Sequence, residues 1–381
     1  MVDVIVIGAG VFGAWTAWHL RERGHRVLLV DGRGPAHAQA SSGGETRILR
    51  CGYGADSLYT EWACRALTYW RDLSARSPQP LVIETGVLFC AAAGDRHTTE
   101  SMVAFDRLGI AYERLTSADL ARRYPQFDAT GLELAVLECR AAAVMARRAV
   151  QTVVDEFVAR GGEYRQLHVT GAPLATDGGV VVATTEGPLR AGATVCACGP
   201  WLPRLMPDLL RDRIFPTRQD VFFFGTPPGD HRYDAAHFPA WIDFDAGIYG
   251  IPDIDHRGFK LAIDDHGPIC DPETLDRIVA PESVERVRAF LGRRFPALAR
   301  APIVETRVCQ YENTWNGDLL IDRHPEASNV WIVGGGSGHG FKHGPIVGEY
   351  VAERLASGER EPIDPRFALA GKRTVRERLV H

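Results

Sequence analysis

The chain has no CxxC pair, and its first apolar run, MVDVIVIGAG, lacks a basic flank, carries Asp3 and is broken by glycines. It also lacks internal repeats, low-complexity tracts and linkers of any length. The short apolar run argues against a signal peptide or membrane helix. The eight cysteines are scattered through a long chain, which suits reduced cytoplasmic thiols better than disulfides or zinc. Cys51, Cys64, Cys90, Cys139, Cys196, Cys198 and Cys270 read as small buried hydrophobes, and Cys309 stands apart in the polar segment RVCQYENTWNGD. His256, His266 and the other histidines give no expectation of a metal site. Net charge is only -5, with 24% charged and 45% hydrophobic residues, so there is no electrostatic footprint for nucleic acid.

What is present is a chain of 381 residues, long enough for two intimately joined domains. The opening DVIVIGAGVFGAWTAWHLRERGHRVLLVD reads as a buried strand, a glycine turn, a helix ending at Gly24 and a second strand ending in Asp31. Two more apolar strands, ATVCACGPWLP and NVWIVGGGSGHGFKHGP, also run into glycines, and the helical pattern IVGEYVAERLASG follows the last. This predicts an α/β fold with a discontinuous Rossmann-type domain over 1–84, 141–216 and 306–381. Between these lie alternating runs such as QDVFFFG and FKLAIDD and the helix PESVERVRAFLGRRF. They predict a mostly antiparallel sheet with flanking helices, a substrate domain over 85–140 and 217–305. The segment ECRAAAVM, Glu138–Met145, reads as helix-favouring.

Gly8-Ala9-Gly10-Val11-Phe12-Gly13 is a GxGxxG fingerprint in the right context, between strand and helix. Gly8 permits the tight turn, Gly10 lets backbone N–H groups approach a pyrophosphate at the helix N-terminus, and Gly13 lets helix and strand pack closely. Asp31 is placed to accept from a ribose 2′-OH. The motif alone leaves NAD and FAD open. The following segment, Gln39–Arg50, is small and polar with two arginines rather than another regular βα unit, and that favours the longer reach of FAD.

The fingerprint, SSGGETRILRCGYG, the FKL at Phe259–Leu261, the CQY at Cys309–Tyr311 and GSGHGFKHGP at Gly336–Pro345 occur in order over nearly the whole chain. Together they resemble the monomeric sarcosine oxidase and N-methyltryptophan oxidase family of D-amino acid oxidase-like flavoenzymes. The resemblance implies FAD joined covalently through Cys309, whose thiolate is the nucleophilic form. It implies that Arg50 and Lys342 hold a substrate carboxylate, with Arg47 near the flavin ring and Ser41 and Ser42 on the phosphates or ribityl chain. Backbone of Gly338, His339 and Gly340 is expected at the flavin pyrimidine, with Phe341 and Lys342 in the same cofactor-contacting turn. Lys260 is similar to the family lysine that assists reduction of O2, and Tyr249 and Tyr311 to aromatic residues of the substrate cavity.

Asp264 departs from the resemblance, since the sarcosine oxidases carry a histidine there. An anion near the amine favours a more cationic substrate, unless Asp264 faces solvent. The expected reaction is oxidation of an N-methyl or cyclic secondary amino acid to an imine, with O2 reduced to H2O2, by a cytoplasmic monomer or small homo-oligomer. Alternatives are a deaminating oxidase of primary amino acids, a flavin dehydrogenase using another acceptor, and a non-catalytic flavin-binding subunit.

Overall fold

The computed structural model describes residues 2–357 and 361–373. The buried strand Val2–Ile7 lies between Val27–Asp31 and Leu189–Cys196, parallel to both. Glu163–Gln166 extends the sheet beyond Val27–Asp31, and Ala327–Gly334 runs parallel beside the end of Leu189–Cys196. A sheet covered on both faces explains why its central strands are continuously apolar rather than alternating. Helices Val11–Glu22, Ala146–Ala159 and Gly344–Ser357 pack together against it. The approach of the first and last is close: a Cβ on Gly348 would sit 2.5 Å from the Trp15 carbonyl carbon.

The second eight-stranded sheet runs Ile303–Thr314, Ile214–Phe224, Phe259–Ile263, Ile248–Ile251, Ala240–Asp243, Val87–Ala91, Leu134–Glu138 and Tyr112–Leu115. Its neighbours are antiparallel apart from Ala240–Asp243 and Val87–Ala91. Helix Pro281–Arg294 covers one face, with Phe290 stacked on Trp241 at 5.3 Å. The boundaries expected at 216/217 and 305/306 fall inside Ile214–Phe224 and Ile303–Thr314, which pair over nearly their whole lengths and carry the chain from one sheet to the other. Residues 358–360 and 374–381 of the last expected segment lie outside the described residues.

A third, three-stranded sheet corrects one expectation. Ala142–Met145 is a strand, not a helix, wedged between Thr46–Leu49 and Val82–Ile83. Its four side chains are all buried, and helix begins only at Ala146. Tertiary pairing overrides alanine's helix propensity here. Cys139 is a second correction: it lies in the turn after Leu134–Glu138 and is exposed, whereas the other six cysteines expected to be buried are at least half-buried. Among the described residues no helix is long and apolar enough to cross a membrane.

Candidate active site

The glycine fingerprint forms one wall of a cavity of about 510 Å³. Gly8 has φ +105°, and a Cβ there would come within 2.8 Å of the Ala197 carbonyl carbon. A Cβ on Gly13 would overlap the Gly8 carbonyl, so Gly13 serves packing and does not line the cavity. The helix starting at Val11 has no side-chain cap from Gly10, and Ser42 supplies a partner instead: Val11 N–H donates to Ser42 Oγ at 3.0 Å. Asp31 stands at the cavity wall with Oδ2 accepting from Ala9 N–H at 2.7 Å and Oδ1 from the N–H groups of Arg33 and Gly34 at 2.8 and 2.9 Å. Oδ1 is thereby filled, and Oδ2 keeps one further acceptor site.

Arg47, Tyr311 and Gly338 line both this cavity and a smaller one of about 40 Å³ that holds Cys309, Lys260 and Tyr249. Lys260 is 2% exposed, and its Nζ donates to the Thr46 carbonyl at 2.8 Å. Burial, then the neighbouring Arg47, holds its pKa well below the ordinary lysine value. Arg47 Nη2 lies 3.8 Å from Cys309 Sγ, and its guanidinium carbon is 5.8 Å from the Phe341 ring centroid. Burial raises the Tyr249 hydroxyl to about 12. Asp264 does not simply face solvent: it is half-buried and accepts from Tyr311 OH at 2.9 Å.

Arg50 and Lys342 meet over the ring of Tyr53, at 4.6 and 5.0 Å from its centroid. They are 4% and 7% exposed, and among the described residues neither has a carboxylate within ion-pair distance. Arg50 donates to the Gly52 carbonyl and Lys342 to Tyr53 OH at 2.8 Å. Burial, then the charge of Arg50, holds Lys342 well below its ordinary pKa, while Asp264 opposes this. Asp264 also raises the Tyr249 pKa, so Lys342 and Tyr249 share this carboxylate as a charged neighbour. Neither Arg50 nor Lys342 lines either cavity.

The structure adds residues that the sequence reading missed. Tyr53 OH binds His343 Nε2 at 2.8 Å and His339 Nδ1 at 3.2 Å, so the His-x-x-x-His spacing in HGFKH is engaged by a tyrosine. Among the described residues no group of three or more His, Cys, Asp or Glu is placed to hold a metal. Glu138 is buried below the cation pair and accepts from Cys51 N–H at 2.8 Å; burial raises its pKa. Glu312, 6% exposed, reaches the wall of the larger cavity. The CGYG next to Arg50 was a signal for Tyr53, but no local pattern marks Glu138 or Glu312.

The family model for FAD-dependent oxidoreductases matches residues 3–354. The chain is 30% identical over 369 residues to a monomeric sarcosine oxidase of Bacillus sp. (strain NS-129), covering 94% of each chain. It is 27% identical to an N-methyl-L-tryptophan oxidase of Salmonella agona (strain SL483), covering 95% of this chain and 96% of that one. In fold it is similar to an L-proline dehydrogenase from P. horikoshii, with a TM-score of 0.81 at 22% identity over 93% of each chain. The chain belongs to the FAD-dependent oxidoreductase family.

Proposed function

We propose that the protein oxidises the C–N bond of an N-methyl or cyclic secondary amino acid to an imine, with O2 reduced to H2O2. The observation that carries this reading is the buried pair Arg50 and Lys342, two cations with no carboxylate within ion-pair distance among the described residues. A substrate carboxylate supplies the missing anion, and Arg50 can receive it in bidentate geometry.

The cavity residues fit FAD. Gly8 and Gly10 leave room for close approach, and the N-terminus of Val11–Glu22 presents backbone N–H groups to phosphate. Asp31 would hold a ribose hydroxyl, Ser41 and Ser42 the phosphates or ribityl chain, and Arg47 with the backbone of Gly338, His339 and Gly340 the ring. Phe341 and Lys342 belong to the same turn, and Cys309, with Arg47 beside its sulfur, would be the covalent attachment. When bound, FAD accepts the hydride equivalent from the substrate and passes the electrons to O2.

The protein's own groups orient and neutralise. Arg50 and Lys342 fix the carboxylate and thereby the α-carbon. Asp264, itself oriented by Tyr311, accepts from the amine N–H, and Tyr249 closes the cavity wall. Lys260 provides a buried proton and charge where oxygen is reduced. An anion forming beside it raises its depressed pKa, so charge and counter-charge develop together. We read residues 1–84, 141–216 and 306–381 as flavin-binding and 85–140 and 217–305 as substrate-binding, with Ile214–Phe224 and Ile303–Thr314 shared. The setting is a cytoplasmic monomer or small homo-oligomer acting on a small molecule, without nucleic acid or membrane.

The test is oxygen uptake and peroxide release with N-methyl, cyclic and primary amino acids. One peroxide per O2 with secondary amino acids supports the reading. Turnover only with an artificial electron acceptor would make the protein a dehydrogenase.

A further inference from the structure

Glu312 follows Tyr311 on the strand Ile303–Thr314, and its side chain points to the opposite face of that strand. There it enters the space between the turn at Gly199 and the loop that begins at Gly334, at the wall of the larger cavity. Oε1 accepts from Gly335 N–H at 3.0 Å. A Cβ on Gly334 would overlap Oε1, so glycine at that position makes room for the carboxyl. Oε2 lies 3.8 Å from where a Gly199 Cβ would stand, and among the described residues it has no hydrogen-bond or ion-pair partner.

We propose that Glu312 is a ligand of the cofactor, donating a hydrogen bond from its protonated carboxyl to an oxygen of the central linker of FAD. The setting keeps the proton on. Burial pushes the carboxyl up to about 8, and Gly335 N–H only partly offsets this. The groups facing it add no cation. The 199 turn brings Cys198, whose thiol burial holds well above its ordinary range, and the 334–337 loop brings backbone and Ser337. Tyr311 and Asn313 flank it on its own strand. A neutral acid is a donor, which suits the hydroxyl and phosphate oxygens of the linker. An ionised one would repel phosphate.

The consequence is proton-linked flavin binding. Below about pH 8 the donor is intact and affinity is constant. As pH rises above that value the proton must be taken up on binding, and affinity falls by up to about tenfold per pH unit. The test is the Kd of FAD for flavin-free full-length protein carrying Cys309→Ser, so that binding stays reversible, between pH 6.5 and 9.5, with and without Glu312→Gln. The amide keeps a donor that does not titrate. The expected result is a loss of affinity above about pH 8 with Glu312 and a flat profile with Gln. Parallel profiles, or a flat profile with Glu312 in place, would overturn the proposal. A second readout needs no substitution at 312: FAD binding should shift the infrared carbonyl stretch of a protonated carboxyl to lower frequency, and an unchanged band is equally fatal.

Discussion

Replacing Arg50 by alanine removes the planar half of a buried two-cation site. With Arg50 4% and Lys342 7% exposed, a carboxylate bound between them would be desolvated on arrival and would depend on both partners. Loss of one partner from such a buried pair costs about 3–5 kcal/mol, which is roughly two to nearly four decades in affinity. An exposed pair would lose about 0–1 kcal/mol, less than about sixfold. The assay is titration of the flavin absorption spectrum with an unreactive carboxylate, using the matching neutral amide as control. Arg50→Ala should weaken the carboxylate by at least about a hundredfold and leave the amide nearly unchanged, with KM for substrate rising in step. A change below about fivefold, or an equal change for acid and amide, would remove Arg50 from the carboxylate site.

Further predictions concern the rest of the site. Cys309→Ser should release its flavin on acid denaturation while the parent retains it; free flavin from the parent would contradict the attachment. Lys260→Met should slow reoxidation by O2 by roughly 10²–10³-fold with substrate reduction little changed, as stopped-flow absorbance of the two half-reactions would show. Burial depresses the Lys342 pKa and a bound carboxylate raises it, so binding takes up a proton. Carboxylate affinity should therefore weaken as pH rises from the free lysine's depressed value, and Lys342→Met should abolish that slope. Gly348→Val should shift the denaturation midpoint downward by an amount equivalent to about 1–3 kcal/mol or more, because the added carbons meet the Trp15 backbone.

The parts of the site legible in the sequence are those encoded by short contiguous patterns. Gly8, Gly10 and Gly13 announce the turn because strand, turn and helix follow within one βαβ unit, and the cations Arg47, Arg50, Lys260 and Lys342 sit in recognisable segments. What was not legible depends on pairs distant in sequence. Tyr311 meets Asp264 across 47 positions, and Lys342 meets Tyr53 across 289. Glu312 becomes a buried acid only once Gly335 and Gly199 are folded around it. The strand at Ala142–Met145 was misread for the same reason, since its two partners come from residues 46–49 and 82–83. Ser42 as the partner of Val11 N–H lies between these cases, a residue visible in a short polar segment whose contact only the fold reveals.

The most direct measurement of the central claim is anaerobic mixing of the flavin-loaded protein with N-methyl, cyclic and primary amino acids, followed by admission of air. Bleaching of the flavin absorption by the secondary amino acids, and rapid recovery with peroxide when air enters, is the predicted result. Bleaching by none of them would contradict the proposed amino-acid oxidation.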